Sequence, residues 1–405
     1  MWRYQSVHER SEAEYLDQAI ERIEADKLLR EHTDALLHGA SEQEPMIAQL
    51  LDTPQDIRYH AEGPKVKDHL RLMLTALYAL AEEKLHLIDI EEFRRLKGYE
   101  GEIDEVEEII KENIGLFEVF TLLHDAAKYS TITFSAPDGS RGADLGFNSP
   151  QSHHFDEAAH ERAALRLQYQ NLFNEFSAKH PTASDREIQV QFSLAYGIQV
   201  HYPHHGRKIH APMYEDLLDR FCDAHKLPSR DRDLLDDLIS HHMEFNKDFG
   251  RDKPGSMGRY VHLAKKRGYD ADDFIDLMQG CLLLDMVIGS KRLAPHGYWH
   301  DSTPLENCLR SEHDWAPHRR MEKAKINESK ESRERNKAFQ KVGLDGIALM
   351  DLLKMEAGKE FGITLRRIHA AVLGKGEMPR FGKKIDKEIN VRAGEFYKQV
   401  FEKGE

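Results

Sequence analysis

Residues 114–127, IGLFEVFTLLHDAA, are apolar nearly all round and then stop at a histidine and an aspartate. A helix without a polar face has to be covered by others, so this chain must build a helical interior with polar chemistry at the end of its most buried helix. Helical periodicity runs through most of the remaining chain. Residues 11–38 carry Leu16, Ala19, Ile20 and Ile23 at three-to-four spacing, and residues 65–84 place Val66, Leu70, Met73, Leu77 and Leu80 on one stripe. Further helices are predicted at 156–178, 213–225, 231–244 and 271–290, with a very polar one over 321–341 and two or three short ones after it. Tyr129 to Gln151 reads as a loop with a turn at Pro137-Asp138-Gly139, and TITF before that turn predicts a short strand and a small local hairpin. Val200 to Pro212, broken by Pro203, Gly206 and Pro212, also reads as a loop. The expected fold class is all-α.

At 405 residues, with 40% hydrophobic and 32% charged content, the chain suits a globular protein with a substantial core. It contains no apolar run of the roughly 18 residues a membrane span needs, and its charged N-terminus lacks the apolar stretch of a secretory signal. Three widely spaced cysteines, Cys222, Cys281 and Cys308, fit neither a disulfide framework nor a zinc ribbon. The expectation is therefore a cytoplasmic protein with no membrane and no disulfide-linked partner. The net charge of −14 is uneven: residues 296–405 hold 22 Lys+Arg against 18 Asp+Glu, leaving 35 basic and 53 acidic groups before them. An acidic body suits capture of cations better than non-specific binding of duplex nucleic acid.

Metal-capable side chains recur near helices in the order His69, His124-Asp125, His160, His241-His242, Asp285. A metal site in a helical bundle needs imidazoles and carboxylates projecting inward from different helices. Asp285 continues the apolar stripe of Phe274, Met278 and Cys281, and a carboxylate on a buried face is costly unless paired or bound to a cation. His241 and His242 continue the stripe of Leu234 and Leu238, which aims both rings inward. Adjacent helical residues diverge by about 100°, so His124 and Asp125 reach one site only if their helix ends there.

The segments TPQDIRYHAEGPKVKDHLRLML, LLHDAAK, HFDEAAHERAA, LISHH and LLLDMVIGSKR together resemble an HD-superfamily phosphohydrolase domain over roughly residues 53–295. They are most similar to the HD domains attached to bacterial tRNA nucleotidyltransferases and RNA-end-repair kinases. The resemblance implies an HD-domain helical bundle at 53–295, flanked by a helical extension at 1–52 and a polar, mildly basic helical region at 296–405. It implies that His69, His124, Asp125 and Asp285 hold one divalent metal, and that His160 and His241 stand where ligands of a second would fall. His242 is either an additional ligand or a pocket-lining ring. Family members with a third metal carry a glutamate where this chain has Lys65, which argues against a trinuclear site, and the usual apolar-Gly-Lys after the dyad is here Ala126-Ala127-Lys128.

The implied cofactor is one or two ions of Mn, Fe, Ni, Co, Zn or Mg. The implied chemistry is hydrolysis of a phosphomonoester or phosphodiester by metal-activated water, on a nucleotide or an RNA end, with 2′,3′-cyclic or 2′-phosphate favoured. Asp125 would bridge the ions, and Lys128 would meet a phosphate oxygen. His201, His204, His205 and His210 read as surface or pocket-lining groups, like His153 and His154, with Arg207 and Lys208 as a candidate phosphate grip. His60 and Glu62 are either partners of the ligands or a capping pair. Rival activities are hydrolysis of nucleoside triphosphates or alarmones and cleavage of cyclic dinucleotides. A rival of another class is a non-catalytic nucleotide-sensing HD module.

Overall fold

The computed structural model describes residues 14–96, 98–147, 159–294, 297–315, 337–355, 359–373 and 377–401. Among these the fold is all-α, with two small two-stranded sheets. The helices are α1 (Leu16–Ala25), α2 (Lys27–Gln43), α3 (Pro45–Leu51), α4 (Val66–Ala81), α5 (Glu91–Arg94), α6 (Glu100–Glu112), α7 (Ile114–Leu123), α8 (Lys128–Thr131), α9 (Arg141–Asp144), α10 (Ala159–Ala178), α11 (Asp185–Tyr196), α12 (Pro212–Ala224), α13 (Ser229–Gly250), α14 (Ser256–Arg267) and α15 (Ala271–Leu282). The chain forms two compact units, Met1–Trp315 and Ala316–Glu405. In the second, helices Gly346–Leu353, Lys359–Val372 and Lys383–Phe401 share a core of Phe339, Leu344, Leu349, Ile368, Ile389 and Phe396. No helix among the described residues is long and apolar enough to cross a membrane.

The first unit is organised around α4 and α7. Seven of the ten residues of α7 are buried, as expected of a helix with no polar face, and α4 buries twelve of its sixteen. Together with α13 and α15 they enclose one continuous core. Gly280 in α15 allows a close approach: a Cβ there would lie 2.5 Å from Phe117 Cζ on α7 and 3.1 Å from Ile110 Cγ1 on α6. The helix carrying Asp285 is thereby drawn against the helix that ends at His124.

Several boundaries differ from the sequence expectation, each for a visible reason. The helix expected over 11–38 divides at Asp26, whose carboxylate accepts from the Leu28 and Leu29 amides as an N-cap and starts α2. The segment expected as an extension at 1–52 contributes Leu16, Ile20, Ile23, Leu29, Leu37 and Ile47 to the main core, so it is part of the same unit. The boundary expected after residue 295 falls after Trp315, because Leu305, Cys308 and Leu309 of the helical stretch 303–315 are buried in that core.

The hairpin expected before Pro137 is a long-range pair instead. Strand β1 (Thr133–Ser135) runs antiparallel to β2 (Gln199–His201), with Phe134 opposite Val200. The sheet shares a satellite core with α10 and α11, formed by Ile132, Phe134, Phe147, Tyr169, Phe192, Tyr196 and Val200. A second pair, β3 (Lys291–Ala294) and β4 (Gly297–His300), places Arg292 opposite Trp299.

Gly280→Ala is expected to destabilise the protein by about 1–3 kcal/mol, since overpacking a filled contact forces backbone or rotamer shifts. Gly39→Ala in α2, where an added Cβ meets nothing within 4 Å, is expected to be neutral or stabilising by up to about 1 kcal/mol. Urea unfolding of both variants checks the pair.

Candidate metal centre

Backbone devices bring the polar groups of four helices to one point. The last α-helical residue of α7 is Leu123, and the chain then tightens: Ala126 N–H donates to Leu123 O and Lys128 N–H to Asp125 O, both three residues back. This shorter-pitch turn lets the adjacent His124 and Asp125 face the same interior. Asp285 lies in a π-helical segment, Leu283–Ile288, that continues α15. The wider turn is closed by Gly289 N–H donating to Leu284 O at 2.8 Å, and Gly289 tolerates no Cβ, which would fall 2.6 Å from Met73 Cγ on α4. The β1–β2 pair anchors the loop after β2, and the short 3-10 turn Gly206–His210 packs against α13. Gly206 sits where a Cβ would be 3.1 Å from the His242 ring, and the His205 and His242 ring centroids lie 5.4 Å apart.

The result is a buried cluster of four imidazoles and two carboxylates: His69, His124, His205, His242, Asp125 and Asp285, none more than 6% exposed. Every imidazole is oriented in the same way. Nδ1 donates to a backbone carbonyl, of Gly289 for His69 (2.8 Å), Thr121 for His124 (3.0 Å), Tyr202 for His205 (2.9 Å) and Ile239 for His242 (2.6 Å). A ring nitrogen facing a carbonyl must carry a proton, so in the neutral form of each ring the lone pair lies on Nε2. All four Nε2 atoms are buried and make no hydrogen bond. Orphaned buried nitrogens are costly, and four together are the donor set a soft to borderline cation takes.

The carboxylates sit among these nitrogens. Asp285 Oδ1 lies 3.3 Å from His69 Nε2 and 3.8 Å from His124 Nε2, while its Oδ2 accepts from Asn246 Nδ2 at 2.7 Å. Asp125 Oδ2 lies 3.4 Å from His124 Nε2 and 3.9 Å from His69 Nε2, and its Oδ1 lies 3.2 Å from His205 Nε2. Three groups capable of holding a cation follow among the described residues, His60/Glu62/His69, His69/His124/Asp125 and Asp125/His205/His242, and Asp125 is common to the last two. Lys128 Nζ lies 2.6 Å from Asp125 Oδ2, with its side chain almost fully buried.

Outside the cluster, Glu62 is buried and holds two histidines, His60 Nδ1 at 2.8 Å and His69 Nδ1 at 3.5 Å, while its Oε2 accepts from the Lys291 amide at 3.1 Å. Burial opposes charge on His69, but the carboxylates of Asp285 and Glu62 outweigh it and lift its pKa to about 10. Burial likewise pushes Asp285 and Asp125 upward, and the surrounding imidazoles, with Lys128 beside Asp125, hold both below the usual carboxylate range. His242, dominated by burial, is pushed down to about 3 and is neutral at pH 7.

The sequence-predicted residues divide clearly. His69, His124, Asp125, Lys128 and Asp285 converge. His242 joins them as a ligand-capable ring. His241, one position or about 100° away, turns aside and bonds Asp237 O and Ser240 Oγ, each at 2.9 Å. His160 is exposed at the start of α10, five residues before Leu165, the first of that helix's inward positions, and belongs to no metal-capable group among the described residues. The rings that lie beside Asp125 in a cation-capable group are His205 and His242. Arg207 is exposed and ion-paired with Glu244. The side chain of Lys208, and His153 and His154 altogether, lie outside the described residues. Two residues at the cluster have a place the sequence reading does not give them: His205 reads there only as a surface or pocket-lining group, and Asn246 is not singled out. His205 sits in a loop with no periodicity to read. Asn246 does lie four residues after His242 on α13, a spacing that puts the two side chains on one face.

Metal analysis of the purified protein is expected to show bound divalent ion that falls on His205→Ala and on His242→Ala, and is unchanged on His160→Ala and His241→Ala. Since His69 carries a proton at neutral pH in the ion-free protein, uptake of a cation has to displace it. Affinity is therefore expected to rise with pH between 6 and 8, about tenfold per unit for each displaced proton, as read by chelator competition. Protein-family models, curated proteins and solved structures offer no match to this chain, so the centre stands on its own geometry.

Proposed function

We propose that this chain is a metal-dependent phosphohydrolase of the HD type, cleaving a phosphomonoester or phosphodiester of a nucleotide or an RNA end. The observation that carries the reading is the set of four unbonded Nε2 atoms gathered around two carboxylates, with a lysine ammonium against one of them. The donor set fits one or two divalent ions; Asp125 faces one histidine group through each oxygen and would contribute to holding either. A divalent cation held there supplies Lewis acidity and brings the pKa of water towards neutrality.

The chain's own residues provide the rest. The backbone carbonyls at Gly289, Thr121, Tyr202 and Ile239 fix each imidazole's tautomer and direction before anything binds. Asn246 and Glu62 hold Asp285 and His69 in place. Lys128, released from Asp125, offsets negative charge gathering on the phosphoryl oxygens as water adds to phosphorus and the ester P–O bond breaks, its oxygen leaving with a proton. The favoured substrates are 2′,3′-cyclic or 2′-phosphates. Nucleoside triphosphates, alarmones and cyclic dinucleotides are the rivals within this class.

One observation favours a second reading. The cluster and Lys128 are almost wholly enclosed, which suits a non-catalytic module that holds its ion and senses a nucleotide elsewhere on its surface. Turnover separates the two. The protein with Mn or Ni is expected to hydrolyse bis-p-nitrophenyl phosphate and one or more members of a panel of 2′,3′-cyclic nucleotides, nucleoside triphosphates and cyclic dinucleotides. Asp125→Asn is expected to reduce this to background, and Lys128→Ala to lower kcat by about a hundredfold, with both variants folded by circular dichroism. Bound metal without turnover on any member of the panel would leave the sensing module.

A further inference from the structure

The segment that enters the metal centre is tied to an exposed surface of unusual composition. Tyr59, 52% exposed, precedes His60, whose ring centroid is 4.9 Å from that of His69. Arg58 and Arg292 both sit over the Tyr59 ring, with guanidinium carbons 5.4 Å and 5.6 Å from its centroid. Arg292 is directly opposite Trp299 in the β3–β4 pair, and residues opposite each other share a face. Trp299 is 44% exposed. The hairpin is joined to the centre by two backbone contacts: Ala61 N–H donates to Lys291 O at 2.8 Å, and Lys291 N–H donates to Glu62 at 3.1 Å. Its other face is committed to α1, through Tyr298 to Glu21 and His300 N–H to Asp17.

A guanidinium stacked on a ring keeps its in-plane N–H groups free for phosphate. Arg58 is the exception: its Nε and one Nη are taken by the two oxygens of Asp56, which holds it rigid over Tyr59. Arg292 has no carboxylate partner among the described residues, and its buried Nε makes no hydrogen bond. What this surface offers is one arginine with no carboxylate partner among the described residues, Arg292, beside an exposed tyrosine and an exposed tryptophan. Exposed aromatics that accept bases, beside cations that accept phosphates, are the chemistry of single-stranded nucleic-acid binding. We propose that Arg58, Tyr59, Arg292 and Trp299 form a docking surface for single-stranded nucleic acid, leading a strand end towards the metal centre. The inference deepens the phosphohydrolase reading and rests on it for the direction of the strand, though binding itself is measured separately.

The test is fluorescence anisotropy with a labelled twelve-residue oligouridylate, on the full chain carrying Asp125→Asn so that the probe is not consumed. Binding that weakens as salt is raised is expected. Tyr59→Ala and Trp299→Ala are each expected to weaken it about tenfold, the loss of one stacked base. Arg292→Ala is expected to weaken it and to reduce the salt slope by about one. Leu194→Ala, exposed on α11, serves as the control and should bind unchanged. The inference is overturned if the three surface variants bind as tightly as their parent, or if an oligoglutamate displaces the RNA as well as unlabelled RNA does. Loss of RNA binding in those variants, in a protein that turns over none of the phosphate panel, would support the surface and sink the hydrolase. Turnover of the panel with RNA binding untouched by the variants would do the reverse.

Discussion

Asp125 and Asp285 are carboxylates inside an apolar helical interior, and the architecture of the first unit depends on how they are neutralised. An isolated buried carboxylate carries a penalty of several kcal/mol even after relaxation. Here each is met by imidazole nitrogens at 3.2–3.9 Å, with Lys128 at 2.6 Å from Asp125. Paired groups in the ion-free protein and ligands in a metal-bound one are the same atoms. The proton on His69 and the ammonium of Lys128 therefore occupy the electrostatic position that a cation would take, and proton and cation compete for it.

Such a cluster has to be held against its own tendency to rearrange, and the surrounding backbone does this. The four Nδ1–H groups are each tied to a carbonyl on a different stretch of chain: the end of α7, the middle of α13, the loop after β2 and the turn after the π-helical segment. The two glycines closest to the rings, Gly206 and Gly289, lie where a Cβ would collide with a site residue or its supporting helix. Placement thus comes from main-chain carbonyls, which leaves the Nε2 atoms facing one another and the carboxylates. The same economy joins the centre to the surface, since Glu62 contacts His60, His69 and the first residue of the β3–β4 hairpin.

Much of this was legible from residue order, because buried helices leave a periodic trace. Asp285 follows Phe274, Met278 and Cys281 on one stripe, and those three are buried in the structure. His69 shares a stripe with the core of α4, and His124-Asp125 closes the most apolar segment of the chain. What periodicity could not supply was phase at single-residue resolution. His241 and His242 both continue the Leu234/Leu238 stripe, and only packing of α13 against α7 decides that His242 faces the cluster. His160 follows a family-like HE pattern, yet α10 turns its apolar face to the satellite core and leaves that ring in solvent.

Residue order alone is enough for an all-α interior, for the helices that carry His69, His124-Asp125 and Asp285, and for the need to neutralise charge where they meet. These follow from local rules, namely the 3.6-residue period and the cost of burying a carboxylate. That His205 completes the cluster follows from long-range packing instead. Its position depends on β1 pairing with β2, in which Ser135 and His201 meet at a sequence separation of 66, a contact between strands three residues long whose register no local pattern encodes.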